Sequence, residues 1–545
     1  MGTENVATVP FAMTWSFWWQ ADRISLGLVD FWQAPIFAPT PDAFALSETN
    51  TLGGFLMAPL VLLSGSAALG HNLFLILALA LNGLSASRLL QAWRLHRLVA
   101  VCAGVAMLML PLPHQEVGVL PLVSVFGILW SFHALTLWLA EPGGRRAVPL
   151  ALSLAATYFL CFQYALFLAI VLVALGGILL RRRHLAPRAV ASLALAGVLA
   201  GGLVAPVVYA QLHSVTEEAG FERKLKKVGR LAAKPRHFVR TPWKQAIPTP
   251  GIAVSKKPGW KAFFPGTGRV VLAILGLAWA LALPRTARWG WFLGSGSLLA
   301  YAMALGPNLE IVGVNIWELA AHLPGYSKVR SVNRWAVFVQ IFVVLLSGFG
   351  LQWVLSHFLG RTPEGSDAGL PPARGRSRLI WGATFLVMSG LCMAEILPPR
   401  QQLKSVPERS QHEGWGDWVQ ANTATDAVLA FLPFSEGGNV KDYEEDAARM
   451  LLGPVHRRAM ANGYSSFFPR PFRELKKKLV DFPTQEGVDA LREAGVTHLV
   501  LDEGVYPEHL ITDYPPVAAG MIMVYRDERA GVTLYAVRPE RSGGS

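Results

Sequence analysis

The sequence predicts a polytopic α-helical membrane protein, with about ten transmembrane helices and a C-terminal soluble α/β domain. Hydrophobic residues make up 52% of the chain and charged residues only 16%, whereas about a quarter of a soluble domain is charged. The apolar residues are gathered into runs of about 17–25 residues, separated by short loops that contain Arg, Pro and Gly. After Pro398-Pro399 these runs end, and short strand-like and helical patterns follow.

Residues 1–68 are predicted to form an outer-face loop with interfacial helices. This segment is aromatic and interrupted by prolines, and it lacks the basic stretch followed by an apolar core that marks a signal peptide. Its apolar piece from Phe55 to Leu63 is too short to cross a bilayer, so we expect an interfacial or re-entrant helix there.

Residues 69–397 are predicted to form the transmembrane region. The run from Ala147 to Leu180 is about twice the length of one span, so we divide it near Gln163. A single tilted helix is the alternative, and it would invert the orientation of everything that follows. The predicted spans are Leu69–Leu90, Leu98–Pro113, Val117–Ala140, Ala147–Phe162, Tyr164–Leu180, Arg188–Ala210, Val270–Leu283, Trp289–Leu305, Trp335–Leu355 and Leu379–Ile396.

The distribution of arginine predicts the orientation, because short cytoplasmic loops are enriched in Lys and Arg. Every second loop between the predicted spans is basic, and we assign these loops to the cytoplasm. The intervening loops, including Pro111 to Glu116 and Gly306 to Arg334, then face outward. The chain is accordingly predicted to be a multi-pass protein of the bacterial inner (cytoplasmic) membrane, with an extracytoplasmic C-terminal domain.

The net charge of +13 comes mostly from one predicted outer loop at 212–266. Between His213 and Gly266 there are twelve Lys or Arg residues and three Glu residues. Loops of this length translocate largely regardless of charge. Because the charge lies between membrane spans, membrane lipid headgroups or an anionic lipid-linked substrate are better candidate partners than nucleic acid.

The cysteines and the C-terminal region complete the predicted organisation. Cys102, Cys161 and Cys392 lie in apolar runs without neighbours at metal-ligand spacing, so we expect buried small side chains and neither a disulfide nor a zinc site. Residues 398–545 are predicted to form the soluble domain, with strands and helices at Ala427–Leu432, His498–Leu501, Ser405–Asn422 and Thr484–Ala494, and a hairpin of Ile522–Arg526 with Val532–Val537.

Three cations stand directly before the apolar run that begins at Ala336. Lys328, Arg330 and Arg334 follow a Pro-Gly turn at the predicted outer boundary of the membrane. An arginine fork can bind phosphate oxygens through two hydrogen bonds, which suits a phosphate headgroup. Arg330 and Arg334 are four residues apart, so they would share one face of a helix. The alternative is that the cations are interfacial anchors.

Acidic residues on the predicted outer face are the candidates for acid–base chemistry. Glu4 and Glu48 precede the first predicted span, and His114 and Glu116 lie in a tight loop. Sugar transfer from a lipid phosphate needs a carboxylate that deprotonates the acceptor hydroxyl, and cations or a metal that stabilise the departing phosphate. In the alternative interpretations Glu48 begins a helix capped by Ser47, and His114 has no catalytic role.

The chain resembles the GT-C glycosyltransferase superfamily, including YfhO-like and related membrane proteins. The resemblance is a series of short motifs in the same order: Gly2-Thr3-Glu4, Trp15-Ser16-Phe17-Trp18, Ile36-Phe37-Ala38-Pro39, Ser47-Glu48, Ala58-Pro59-Leu60, Gly70-His71-Asn72-Leu73, His114, Leu120-Pro121-Leu122, Arg330, Arg334, Leu432-Pro433, His456-Arg457, Asn462-Gly463-Tyr464, Phe482-Pro483 and Gly495-Val496-Thr497-His498-Leu499.

The resemblance implies an inverting glycosyltransferase that uses a polyprenyl-phosphate-linked sugar at the outer face of the membrane. It assigns the catalytic carboxylate to Glu4 or Glu48 and a supporting role to Glu116. Lys328, Arg330, Arg334 and His114 are assigned to the substrate phosphate, and the C-terminal domain would orient the acceptor. No cofactor is implied with certainty, and a divalent cation, Mg²⁺ or Mn²⁺, is a candidate.

The sequence departs from the group near its beginning. The group usually has Asp where this chain has Glu4, and its catalytic acid follows a first transmembrane helix. The resemblance therefore implies either a further apolar helix encoded upstream of Met1 or a copy without that helix. The rival hypotheses are a non-enzymatic envelope lipid or polymer translocation or assembly protein and a degenerate GT-C protein. Ion-coupled transport is disfavoured, because the predicted spans hold almost no charged residues near their centres.

Overall fold

The computed structural model of the chain describes residues 6–217, 225–244, 251–255, 261–311, 313–323, 325–358, 383, 387, 390, 397–398, 403–480, 482–504 and 520–537. The chain divides into two compact units. The first unit comprises Met1–Leu73, Pro206–Phe221 and Gln402–Ser545, and the second comprises Phe74–Ala205 and Glu222–Gln401. The assignment of the three predicted domains to the membrane and its outer face stays a prediction.

Helices dominate the described part of the chain. They are α1 (Thr8–Ser25), α2 (Thr51–Ser64), α3 (Ala67–Ala92), α4 (Arg97–Leu108), α5 (Pro111–Gln115), α6 (Leu120–Val123), α7 (Phe126–Ala140), α8 (Gly144–Leu160), α9 (Phe162–Leu175), α10 (Pro187–Glu217), α11 (Leu225–Leu231), α12 (Thr267–Ala282), α13 (Ala287–Leu305), α14 (Ile316–Ala321), α15 (Ala336–Phe358), α16 (Arg409–Asn422), α17 (Glu444–Met450), α18 (Gly453–His456), α19 (Arg470–Lys478) and α20 (Gln485–Glu493).

The strands are short except at the C-terminal end of the described chain. They are β1 (Arg240–Thr241), β2 (Ala253–Val254), β3 (Glu310–Ile311), β4 (Val314–Asn315), β5 (Val428–Leu432), β6 (Ala459–Met460), β7 (His498–Asp502), β8 (Met521–Asp527) and β9 (Val532–Val537). The last five form one sheet in the order β6-β5-β7-β9-β8. Within it β5 pairs in parallel with β6 and β7, while β9 pairs antiparallel with β7 and β8.

Among the described residues, five helical segments are long and apolar enough to cross a membrane, as expected of an integral membrane protein. They are Ala67–Ala92, Arg97–Gln115, Phe162–Leu179, Pro187–Ser214 and Val332–His357. Helices also occupy the other predicted spans that the structure describes. The predicted span from Leu379 to Ile396 lies largely outside the described residues, and Cys392 lies outside them. The total of about ten spans stays a prediction.

The predicted division of the run from Ala147 to Leu180 is confirmed, although the break lies two residues before Gln163. Helix α8 ends at Leu160, and Cys161 is extended, with φ −156° and ψ 106°, before α9 begins at Phe162. The single tilted helix is therefore wrong. Cys161 and Cys102 are both buried, as predicted for small apolar side chains.

The N-terminal and C-terminal parts of the first unit share one hydrophobic core. Trp15 and Trp19 of α1 belong to the same buried cluster as Trp415 of α16. Phe37 packs edge-on against Phe472 of α19, with ring centroids 4.9 Å apart. The segment predicted to be an outer-face loop is therefore packed into the α/β unit.

Most elements predicted for the C-terminal region are observed. Strands β5 and β7 coincide with the predicted strands, β8 and β9 form the predicted hairpin, and α20 lies within Thr484–Ala494. Helix α16 begins at Arg409, four residues later than predicted. The helix predicted at Phe55–Leu63 is observed as α2, with exposed Leu56, Leu62 and Leu63 side chains. Its interfacial or re-entrant position stays a prediction.

Helices α12 and α15 of the second unit pack with their backbones in contact. A Cβ atom at Gly276 would overlap the carbonyl of Leu346, and one at Gly350 would overlap the carbonyl of Leu272. Glycine at both positions permits this approach, which lets dispersion contacts between helix backbones contribute where lipid offers no hydrophobic driving force.

Replacing Gly276 with Val should therefore push α12 away from α15. We expect Gly276→Val to lower the stability of the protein by about 1–3 kcal/mol, because separating the two helices removes their close backbone packing. The melting temperature of the detergent-solubilised protein measures this. Gly201→Val on α10 is the matched control, since a Cβ there meets no atom within 4 Å. Equal melting temperatures for the two variants would contradict the close packing.

Candidate functional site

Aromatic contacts fix the segment that carries the predicted cations. Trp335 stacks on Phe167 of α9, with ring centroids 4.2 Å apart and planes at 17°. The Trp335 Nε1–H group donates a hydrogen bond of 3.0 Å to the hydroxyl of Tyr326. Both side chains are fully buried, and burial raises the pKa of the Tyr326 hydroxyl well above its usual range. These contacts hold the chain from Tyr326 to Trp335 against α9.

Arg334 is thereby placed beside two polar groups. It lies in a 3₁₀ turn, Val332–Trp335, and its Nη1 atom donates a 2.9 Å hydrogen bond to Oε1 of Gln163. Its Nη2 atom lies 4.0 Å from Oε2 of Glu116. Gln163 and Phe167 are one turn apart on α9, so one helix face holds both Arg334 and Trp335. The Arg334 and Glu116 side chains are 17% and 23% exposed, so each remains accessible to a ligand. We call Arg334, Gln163 and Glu116 the Arg334 cluster.

The turn that carries Glu116 is held by buried amides. Gln340 of α15 accepts a hydrogen bond of 3.2 Å from the backbone N–H of Leu112 and donates one of 3.1 Å to the carbonyl of Phe263. Gln115 donates a 2.8 Å hydrogen bond to the carbonyl of Ala262. These bonds satisfy backbone groups at the break between α4 and α6, and they fix the position of Glu116.

His114 makes a hydrogen bond to the backbone of the preceding helix. Its Nε2 atom lies 3.0 Å from the carbonyl of Leu108, so that nitrogen carries the proton and donates it to the end of α4. The side chain is 8% exposed. His114 therefore supports the turn that ends at Glu116, and its role towards a phosphate stays a prediction.

The remaining predicted cations lie on the same segment as Arg334. Lys328 ends a 3₁₀ turn that begins at Tyr326, and Arg330 follows in non-helical backbone between the buried Val329 and Val332. Both cations are half-buried. Because the chain is not helical at Arg330, the expectation that it shares a helix face with Arg334 is wrong.

Glu48 lies in the first unit, whereas Arg334 and Glu116 lie in the second. Glu48 is half-buried before α2. Asn50 caps that helix by accepting a 3.3 Å hydrogen bond from the N–H of Gly53, so the predicted cap at Ser47 is wrong and Glu48 is not helical. Ser47 instead bonds to the hydroxyl of Ser466, at 3.2 Å. Glu4 lies outside the described residues.

Gln163 and Gln340 belong to the site but were not predicted from the sequence as site residues. A polar side chain within an apolar run is the signal that could have revealed them, because a buried amide in such a run must find a partner. Arg269, only 1% exposed, is a third example: its Nη1 atom donates hydrogen bonds of 3.2 Å to the carbonyls of Met109 and Pro265.

The described residues do not form a metal centre. No group of three or more His, Cys, Asp or Glu side chains lies together in that part of the chain. Glu116, the carboxylate of the cluster, faces the Arg334 guanidinium, which repels a cation. Glu116 beside Arg334 therefore does not fit a divalent cation.

The basic loop folds around a buried histidine. Nδ1 of His237 accepts a 3.0 Å hydrogen bond from the backbone N–H of Lys234, and the His237 carbonyl accepts one of 2.8 Å from Phe263. Burial lowers the pKa of His237 to about 4, with further repulsion from Lys261, Arg236, Arg240 and Lys234. His237 is therefore neutral at pH 7 and leaves an excess of positive charge around it.

The loop should lose stability in mild acid. Between about pH 6.5 and pH 4 the unfolded loop binds a proton at His237 that the folded loop does not, so stability falls as pH falls through this window. We expect hydrogen–deuterium exchange of residues 233–240, corrected for intrinsic rates, to increase from pH 7 to pH 5. His237→Asn retains an acceptor for Lys234 and should remove that increase. The same pH dependence in the variant would contradict this assignment.

Solved structures of membrane glycosyltransferases resemble this chain. A cryo-EM structure of the mycobacterial arabinofuranosyltransferase AftD is 15% identical, with a TM-score of 0.50 over 93% of this chain and 35% of AftD. A variant of AftD is 14% identical, with a TM-score of 0.53 over 98% of this chain and 41% of its own. The oligosaccharyltransferase AglB from Archaeoglobus fulgidus, bound to an inhibitory peptide and dolichol-phosphate, is 11% identical. Its TM-score is 0.43, over 95% of this chain and 67% of AglB.

These likenesses bear on the fold. The chain spans well under half of the length of the AftD structures that it matches, 35% and 41%. No protein-family description and no curated protein matches the sequence. The described structure is similar in fold to the AftD structures, as the resemblance given by the sequence motifs led us to expect.

Proposed function

We propose that this protein is a membrane glycosyltransferase that transfers a sugar from a polyprenyl-phosphate-linked donor at the outer face of the bacterial cytoplasmic membrane. The fold likeness to AftD over nearly the whole chain carries the proposal. The Arg334 cluster supports it, because a fixed and partly exposed guanidinium beside a membrane-length helix suits a lipid phosphate.

Arg334, with Arg330 and Lys328 on the same segment, binds the donor phosphate in this proposal. Gln163 is neutral and leaves the positive charge of Arg334 undiminished. Glu116 balances that charge in the absence of substrate, and its 4.0 Å separation is longer than a hydrogen bond, so a phosphate can displace it. The same electrostatic attraction then stabilises the phosphate as it departs.

A carboxylate, Glu4 or Glu48, removes the proton from the acceptor hydroxyl. The acceptor oxygen attacks the anomeric carbon, and the bond from that carbon to the phosphate oxygen breaks with its electron pair leaving on the phosphate. His114 positions the turn that carries Glu116. A divalent cation that stabilises the departing phosphate stays a proposal. We also propose that the C-terminal part of the chain is extracytoplasmic and orients the acceptor.

Exchange of arginine for lysine tests the phosphate-binding role. We expect Arg334→Lys and Arg330→Lys to reduce transfer by about ten-fold or more, because lysine loses the two-pronged donor geometry. Arg182→Lys, in a predicted cytoplasmic loop, is the matched control. The measurement is transfer of radiolabelled sugar from polyprenyl-phosphate donors, beginning with arabinofuranose, in proteoliposomes of the full chain.

The carboxylates are tested in the same assay. Glu4→Gln or Glu48→Gln should abolish transfer while leaving membrane insertion unchanged, because an amide cannot accept the proton. Full transfer in both arginine variants and in both glutamine variants would contradict the proposal, and a non-enzymatic role in envelope lipid or polymer translocation or assembly would then be favoured.

A further inference from the structure

We propose that the first unit contains a separate binding site for an anionic saccharide. The site is a cavity of about 860 Å³ lined by residues of α1, the segment that follows it, α2, α16 and the turn after α18. A volume of this order holds a small ligand of one to a few rings. The inference concerns binding alone and stands whether or not the chain transfers a sugar.

The wall of this cavity, which we call the arginine cavity, is strongly positive. It includes the guanidinium groups of Arg23, Arg409, Arg457 and Arg458 but only one carboxylate, that of Asp22. Asp22 accepts a 3.0 Å hydrogen bond from Nε of Arg23, so this pair is neutral. The other three arginines therefore give the cavity an uncompensated positive charge.

Arg458 contributes charge but has few remaining donors. Its guanidinium donates to the hydroxyl of Thr423 at 3.0 Å and to the carbonyls of Gln420 at 2.9 Å and Thr423 at 3.1 Å. The side chain is 8% exposed and is held without a carboxylate. Carbonyl groups satisfy its hydrogen bonds without cancelling its charge, so it raises the positive potential of the cavity.

Arg409 and Arg457 can donate to a ligand. Arg409 is half-buried and donates a 2.9 Å hydrogen bond to the carbonyl of Gly65, while burial lowers its pKa, as expected of a cation without a close counter-charge. The Arg457 side chain is exposed, and within the described residues it has no recorded hydrogen bond or ion pair. Two guanidinium groups on one cavity wall suit the oxygens of a carboxylate, phosphate or sulfate.

Arg457 forms the C-terminal cap of α18. Its φ of 52° and ψ of 33° lie in the left-handed region, in which many helices end, and its backbone N–H donates a 2.9 Å hydrogen bond to the carbonyl of Gly453. The conformation directs the chain from α18 into β6 and leaves this arginine on the cavity wall.

The uncharged part of the wall suits a sugar ring. Trp18 is half-buried and lies against Gly453, where a Cβ would come within 3.3 Å of its ring. Trp18 offers an apolar surface to the C–H face of a pyranose or furanose. Oγ1 of Thr40, another lining residue, is buried without a hydrogen-bond partner in the described structure. Because this oxygen is buried, the preference for a sugar ring rests on Trp18 and the arginines.

Binding measurements on the full chain in nanodiscs of uncharged lipid test the arginine cavity, with no sugar donor present. The probes are an oligogalacturonate, the neutral galactose oligomer of equal length, and inorganic phosphate. We expect the oligogalacturonate to bind at least about ten-fold more tightly than either other probe. Arg457→Gln and Trp18→Leu should each weaken its binding by about ten-fold or more, and Arg457→Lys should restore part of the loss.

Arg470→Gln is the matched control, because it removes the same charge from an exposed side chain outside the cavity, and it should bind as the parent does. Four results would each overturn the inference. They are equal binding of the neutral oligomer, phosphate binding as tight as that of the oligogalacturonate, no binding of the oligogalacturonate, and unchanged binding in Arg457→Gln. Because transfer is not measured, failure here leaves the proposed glycosyltransferase activity standing, and failure of transfer leaves this site standing.

Discussion

The second unit depends on one constraint: in an apolar environment, every polar group must find its partner inside the protein. Buried amides meet this constraint at the break between α4 and α6, where Gln340 bonds to the backbone at both Leu112 and Phe263. Nη1 of Arg269 contributes by donating to the carbonyls of Met109 and Pro265. The helices can therefore be interrupted at this point without leaving unsatisfied backbone groups, and the interruption brings polar side chains together.

The Arg334 cluster follows from that interruption. The stacking of Trp335 on Phe167 fixes the segment, and the hydrogen bond to Gln163 fixes the guanidinium. Such pre-orientation lowers the entropy that a flexible cation would lose on binding phosphate. The partial exposure of Arg334 and Glu116 distinguishes them from the fully buried Gln340, which has only a structural role.

The sequence was sufficient to predict the helices because apolar runs and polar interruptions are local signals. The division of α8 from α9 and the hairpin of β8 and β9 were predicted in this way. The contact between Arg334 and Gln163 joins residues 171 positions apart and has no local signal. The same holds for the packing of Phe37 on Phe472, which places the N-terminal segment in the α/β core. The prediction that Ser47 caps α2 was wrong because the helix begins only at Thr51, so that Asn50 is the residue directly before it.

The most direct test of the account is a cryo-EM structure of the full chain in nanodiscs with a polyprenyl phosphate. We expect phosphate density within about 3 Å of the Arg334 guanidinium, with Glu116 displaced and the hydrogen bond to Gln163 retained. A lipid phosphate bound elsewhere, with Arg334 and Glu116 unchanged, would contradict the assignment of this cluster to the donor phosphate.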